Sequence, residues 1–594
     1  MGSGPSGGRR AFLAGAAGVA TTTAGCMGNV RNLVGRQEVD QLSLSIATLP
    51  ASEDPYAVRI ATRLAENLRR SGIGIVIDPV RPDVLFRDVL VNHDFDLYVA
   101  RYPSHGDPDE LRSMLYSPYA EESGWQNPFG FADLTLDEIL DEQRTDEGEE
   151  RIDTVHEIQR QVVREQPFTV VCFPDHLGAV RNDRFEGWPD GGPGRPPDYF
   201  GIDRVGSEST LQLLLGDGRI TRNRNPLAVE YRNQANFTGL LYDPLIRSIR
   251  NNSLPDSEPD PIPWLAGSVE WTDGEILSAT VRLRETPWHD GKPVTARDVA
   301  FTYEFLSDTS LGAFDTPVPT PWRRGRVSLV DSVAVQDDRR FRLQFTTGNR
   351  SVARRSLAVP ILPAHIWRER ADSAEIAGLE LGGRTTQALV DSNEAAIGSG
   401  PLQFVEATAD ESLSLEVFPD HFLHTGHDDG IPDRFLEDRP FERIEFTVAP
   451  SDDAAVEILL EDRADATADG LQASVVPRIV RSDDISLTAR GTEFFYHIGY
   501  NCRRAPMVDP NFRRAIAGHI DREATVADSL DGYGIPSEVP LKGQWAPGDL
   551  LWDGEASRPF FGTDGTLDEA AAREAFQEAG YQYDSGKLVR RGPT

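Results

Sequence analysis

Apolar and polar residues alternate from Leu42 to Leu49, which predicts a strand with one buried face. Asp54-Pro55 then supplies a cap carboxylate followed by the fixed φ of proline, and Ala57, Ala61, Leu64, Ala65 and Leu68 fall on one stripe of a helix that Gly72 ends. Ile73 to Val80 predicts a second strand and Phe95 to Val99 a third. Arg151 to Glu165 carries Val155, Ile158 and Val162 at helical spacing, and the apolar run Phe168 to Phe173 predicts a strand buried on both faces. Strands alternating with helices are the pattern of an α/β protein. The stretch Gly187 to Tyr199, with GGPGRPP at its heart, predicts a linker and a boundary near residue 200, after which a new strand opens at Leu211 to Leu215.

The most specific local pattern comes next. Ala279 to Arg284 alternates as a strand, Trp288-His289-Asp290-Gly291-Lys292-Pro293 reads as a turn, and Thr295 with Asp298 forms a capping box. The helix it opens carries Val299, Tyr303 and Leu306 on one face.

Composition narrows the partners. Acidic residues outnumber basic ones by 95 to 60, a formal charge of −35, which repels phosphate backbones and excludes nucleic acid as the expected partner. Lysine occurs only at 292, 542 and 587, so arginine carries nearly all the positive charge. Acidity along the whole chain with lysine nearly absent resembles proteins of salt-loving archaea, whose carboxylate-rich surfaces stay soluble in concentrated salt. At the N-terminus, Arg9 and Arg10 precede the small and apolar run Ala11 to Thr23, which ends at Ala24-Gly25-Cys26. This resembles a twin-arginine export signal closed by a lipobox, with Gly8 and Thr23 departing from the usual residues. It implies that Cys26 is lipidated and that a single anchor holds the body at the extracellular face of the membrane. Cys172 and Cys502 either bridge or stand as buried thiols, and with no CxxC neither a zinc ribbon nor a redox pair is expected. His421, His424 and His427 with Asp428 and Asp429 fall in a loop marked by Gly426 and Gly430, and a solvated insertion is expected there, not a metal centre.

The residues VRLRETPWHDGKPVTARDVAFTYEFL, 281–306, closely resemble the signature of the family 5 extracellular solute-binding proteins, the oligopeptide and dipeptide receptors of ABC importers. Leu240 to Leu245, Gly398 to Phe404, Ile498 to Asn501, Ala505 to Asp509, Phe512 to Ala517 and Thr566 to Tyr581 agree with the family in order. The resemblance implies a two-lobed type II periplasmic-binding-protein fold whose α/β lobes close on a solute at a hinge. It implies no catalysis, no cofactor and no metal, a monomer, a small-molecule or peptide ligand, and a permease with its ATPase on other chains. A sensory or scaffold protein on the same fold is the alternative, and an extracellular metal-dependent hydrolase a weaker one.

Family members that bind peptides clamp the amino terminus with a Trp followed three residues later by Asp. Tyr102 and His105 stand at those positions here, so the acidic anchor is lost unless Asp107 reaches back from the shortened loop. The other candidate ligand contacts are Trp125, Asn127, Trp322, Arg323 and Asn501. Family members begin with the segment that here starts near Thr210, so residues 42–185 supply what would otherwise be missing from the second lobe. A circular permutation is expected: 1–37 signal and tether, 38–180 first part of the second lobe, 181–205 crossover and linker, 206–499 first lobe, 500–594 remainder of the second lobe.

Overall fold

The computed structural model describes residues 40–594 apart from 195, 229–234, 250–259, 377–378, 381–384, 426–429, 437–438, 555 and 590–594. The first strand, Ser43–Thr48, buries Leu44, Ile46 and Thr48 on alternate positions, as its pattern predicts. The helix Pro55–Arg70 is capped by the Asp54 side chain, which accepts from the Ala57 amide at 3.0 Å. Its stripe of Ala57, Ala61, Leu64, Ala65 and Leu68 is buried, joined by Ile60. The strand Ser43–Thr48 runs parallel to both Gly74–Pro79 and Leu97–Tyr102. Leu97–Tyr102 in turn pairs antiparallel with Phe495–Tyr500. That last pairing brings the chain so close that any Cβ at Gly499 would lie 2.1 Å from the Tyr98 ring, which is why only glycine serves there.

The apolar run at Phe168 proves to be the start of a 13-residue strand, Phe168–Val180. Its first half pairs with Phe495–Tyr500 and Gly534–Pro536, and its second half with Ser486–Gly491 and with Ala466. One sheet therefore runs through the whole molecule, and this strand is shared by its two halves. On one side of it a core gathers Leu44, Ile46, Leu64, Val99, Phe168, Tyr500 and Phe576. On the other, a larger core gathers Leu213, Trp264, Trp288, Phe305, Phe341 and Phe446, with a small satellite around Val456 and Leu459. Chain passes between the two at Phe173 to Asp175 and again between Gly491 and Phe495. Two adjacent crossings of extended chain are what a hinge requires.

The larger half adds a four-stranded antiparallel sheet, in order Ala266–Thr272, Ser278–Leu283, Arg340–Phe345, Val330–Val335. The helix Ala296–Ser307 packs beside it, and the expected capping box is present in both directions. The stretch expected to be a linker is packed: Pro196–Phe200 is a short helix, and Tyr199 and Phe200 are buried in the larger core. Two aromatic rings outweigh the loop-forming tendency of the prolines and glycines around them. At the C-terminal end, the helix Glu569–Glu578 buries Phe576, and the Leu42 amide donates to the Leu588 carbonyl at 2.8 Å. Cys172 and Cys502 are buried thiols not bridged to each other, and burial pushes the Cys502 thiol up to about 11. Among the described residues no helix is long and apolar enough to cross a membrane. Arg9, Arg10 and Cys26 lie outside the described residues.

Candidate functional site

The strand Leu97–Tyr102 ends at the seam between the two halves. Tyr102 is buried there, edge-on to Trp125 at 5.5 Å and stacked on Phe495 at 5.5 Å. Across the seam, Trp322 leaves its own half and packs against the core of the other. The Arg323 guanidinium lies 3.9 Å over the Trp322 ring. The Trp125 amide donates to the Pro321 carbonyl at 2.5 Å. Any Cβ at Gly325 would lie 1.8 Å from the Ser113 hydroxyl, so a bare backbone is needed for the two halves to meet.

Between these segments is a small cleft, partly open to solvent. Tyr102, His105, Glu110, Ser113, Trp125 and Gln126 line one side, and the run from Trp322 to Arg326 the other. Five of the residues singled out from sequence meet here: Tyr102, His105, Trp125, Trp322 and Arg323. His105 takes no anchor position of its own. Its backbone amide and Nδ1 both bond the Glu110 carboxylate at 3.0 Å. Burial alone would push that carboxyl up, but His105 and the Arg326 guanidinium, 4.0 Å away, bring it below the usual carboxylate range.

The remaining candidates are engaged elsewhere. Asp107 is buried and ion-paired with Arg355 of the opposite half, and accepts from the Asp109 amide at 2.8 Å. It ties the halves together where sequence reasoning considered an amine anchor. The Asn127 amide bonds the Tyr116 and Phe131 carbonyls and the Phe131 amide at 2.7–3.0 Å, which shapes the loop beneath the cleft. The Asn501 amide bonds the His93 and Phe95 carbonyls, each at 2.9 Å. The cleft residues that sequence reasoning passed over are Glu110, Ser113, Gln126 and Arg324 to Arg326. Gln126 sits between two residues that were singled out, and Arg324 directly follows a third, Arg323, so adjacency was the available signal.

The seam holds further charge pairs. Arg144 donates to both oxygens of Asp109, at 2.6 and 2.7 Å, and also to the Gly325 carbonyl at 3.3 Å. Arg324 pairs with Glu122 at 3.2 Å. Near the hinge, the strands Thr210–Leu215 and Ala466–Thr467 run out at Asp217 and Asp469, which face Arg101 from the other half. The Asp469 carboxylate accepts from the Gly216 and Asp217 amides, both at 3.0 Å. Burial, with the charge of Asp217, nonetheless pushes it up to about 6. A carboxyl raised in the folded state binds its proton more tightly there than when unfolded, so its contribution to stability grows as pH falls through 6 toward 4. Asp469→Asn is therefore expected to melt above the parent at pH 7, with the gap closing as pH falls through that window. Parallel melting curves across pH 4–7 check it.

The histidine loop departs from expectation. His421 is fully buried, not solvated, and its Nε2 meets the Asp243 carboxylate at 3.0 Å. Asp243 also accepts from the Trp264 indole at 2.7 Å and pairs with Arg247, so the imidazole completes a buried polar network. His427, Asp428 and Asp429 lie outside the described residues. Among the described residues no group of three or more His, Cys, Asp or Glu is placed to hold a metal ion.

Residues 260–594 match a family model described as bacterial extracellular solute-binding proteins, family 5 Middle. The oligopeptide-binding protein AppA of Bacillus subtilis is 24% identical over 330 residues, which cover 54% of this chain and 52% of that protein. A putative ABC transporter peptide-binding protein of Brucella ovis is 22% identical over 332 residues, 54% of this chain and 53% of the relative. The chain thus spans about half the length of the curated relatives it matches. Among solved structures, AppA of Bacillus subtilis in complex with a nonapeptide is 20% identical, with a TM-score of 0.45, over 65% of this chain and 68% of that one.

Proposed function

Because the chain belongs to the family 5 extracellular solute-binding proteins, we propose that it is the receptor of an ABC importer, capturing a small solute or peptide between its lobes and handing it to a permease. The observation that carries this reading is the cleft itself. It lies on the seam of two cores between which, among the described residues, extended chain crosses twice, so closure and capture are one motion. A thermal-shift screen of peptides, sugars and organic acids in concentrated salt, followed by small-angle scattering on each hit, tests it. A ligand at 100 times its dissociation constant stabilises by about 2.7 kcal/mol, and the same ligand should shrink the radius of gyration. Stabilisation without compaction for every hit would refute capture by closure.

The finer parts of the reading have separate support. The arginine pair at Arg9-Arg10 and the sequence Ala24-Gly25-Cys26 support export followed by lipid anchoring at the outer face of the membrane. Cys26→Ser should then release the protein to the medium, as immunoblots of membrane and supernatant would show, and unchanged membrane association would remove the lipid from the account. The charge of −35 with three lysines supports adaptation to high salt. A permuted chain order is supported by the N-terminal strand Ser43–Thr48 sharing one core with Phe576 and Leu588. The expected bounds put 38–180 and 500–594 in the second lobe and 206–499 in the first, with 181–205 between them, whereas the two cores place the crossings at 173–175 and 491–495.

A further inference from the structure

We infer that the cleft takes a small uncharged ligand that lays a flat apolar face on its aromatic rings and donates a hydrogen bond, from a hydroxyl or an amide N–H, to Gln126; this rests on the receptor reading above and names the class of its ligand. The Gln126 side chain is the first observation. It is 2% exposed and lines the cleft. Its Nε2 donates to the Ser123 carbonyl at 2.5 Å, which fixes which end of the amide is nitrogen and leaves Oε1 as a buried acceptor with no hydrogen-bond partner. That oxygen lies on the seam: a Cβ on Gly124 would stand 2.8 Å from it and 2.4 Å from the Pro321 carbonyl oxygen of the opposite half. A buried acceptor left unpaired is destabilising, and a ligand's donor removes the penalty. The same acceptor rejects an analogue that lacks the donor.

Charge is the second observation. Glu110 is engaged by His105 at 3.0 Å and by Arg326 of the opposite half at 4.0 Å, and Arg324 by Glu122 at 3.2 Å. Arg323 is 6% exposed, with its guanidinium 3.9 Å over the Trp322 ring, and it too is engaged within the protein. Behind the wall Asp107 is paired with Arg355 and Asp109 with Arg144. A ligand carboxylate or ammonium would have to shed its water and displace one of these partners, because among the described residues no unengaged charge lines the cleft to receive it. An uncharged ligand meets neither cost. Shape is the third: Tyr102, Trp125 and Trp322 line a small cleft with aromatic rings, which favour a flat body over an extended peptide backbone.

Probes matched on one ring separate these features: para-cresol, toluene, para-hydroxyphenylacetate and tyramine, with methyl β-D-glucopyranoside and trialanine beside them, titrated into the full-length protein by calorimetry in concentrated salt. The uncharged hydroxyl compounds should bind, para-cresol more tightly if the flat body is aromatic and the glucoside if it is a sugar ring. Toluene, the acid, the amine and the peptide should be weaker than the better of the two by about tenfold or more. Gln126→Leu should weaken that better probe by about tenfold or more and leave toluene as it was. The preference itself is measured on the parent protein and so stands apart from any folding defect, and Gln126→Met, of similar length, repeats the comparison if Gln126→Leu melts early. The inference is overturned if neither hydroxyl compound binds at millimolar concentration, if toluene or any charged probe binds as tightly as they do, or if both variants keep the preference for the hydroxyl. Compaction in small-angle scattering by trialanine or another charged probe would then leave the receptor reading standing, whereas compaction by no compound of this set or of the wider screen would sink both.

Discussion

Substituting Asp109 by alanine is expected to lower stability by about 3–5 kcal/mol, because it strands the Arg144 guanidinium without its carboxylate in a buried setting. Both side chains are less than a tenth exposed, at 8% and 4%, and Gln143 adds a bond to the same oxygen of Asp109 at 2.8 Å. Arg144 also reaches the Gly325 carbonyl and the Ser328 hydroxyl of the opposite half, both at 3.3 Å, so the loss should open the seam as well as weaken the fold. Urea unfolding measures the first effect and small-angle scattering the second. Adding Arg144→Met to Asp109→Ala should recover most of the stability, since an apolar chain of similar length in a buried site removes the uncompensated charge. Closure should stay impaired in the double variant, because the bonds to Gly325 and Ser328 are gone. A double variant no more stable than the single one would show that the carboxylate acts through Gln143 and not through the ion pair.

Phe576→Ala is expected to cost about 3–5 kcal/mol, the range for emptying a buried aromatic site. Phe576 is fully buried, with Phe512 at 5.1 Å and His519 at 5.3 Å ring to ring. The informative part is where protection is lost. If 38–180 and 500–594 make one lobe, hydrogen exchange should accelerate in Ser43–Thr48 together with Glu569–Glu578, while the sheet from Ala266–Thr272 to Arg340–Phe345 keeps its protection. Unaltered exchange in Ser43–Thr48 would mean that the N-terminal segment folds as a separate body, and the permuted order would fall with it.

Local elements were legible along the chain wherever their cause is local. A carboxylate before proline caps a helix whatever surrounds it, as Asp54 does, and the box of Thr295 and Asp298 needs only residues three apart. The family resemblance carried by 281–306 rests on the same kind of short-range pattern, and the family match covers it. The composition of Gly187 to Tyr199 speaks for a loop, whereas the burial of Tyr199 and Phe200 depends on a core assembled from residues far along the chain. The histidine loop shows the same dependence on distant residues: Asp243, the hydrogen-bond partner of the buried His421, lies 178 residues away.

In the cleft, Tyr102 could be singled out because it stands at the aromatic clamp position of the family it resembles, and Trp125 and Trp322 as aromatics in loops, where packed rings are as common as ligand contacts. The roles of the charged and amide groups could not. With 95 acidic and 60 basic residues spread through the chain, any carboxylate has many guanidinium groups it might meet in principle. Only the meeting of the two halves decides that Asp107 faces Arg355, that Glu110 is taken by His105, and that Asn127 and Asn501 spend their amides on backbone. Sequence by itself determined the alternating α/β elements and their caps, set by periodicity and contacts within a few residues, and carried the family through the resemblance of 281–306. Tertiary structure alone decided the sheet that runs through Phe168–Val180 into both halves and the pairing of charges across the seam, because each is a contact between distant segments and has no energy until the chain has closed on itself.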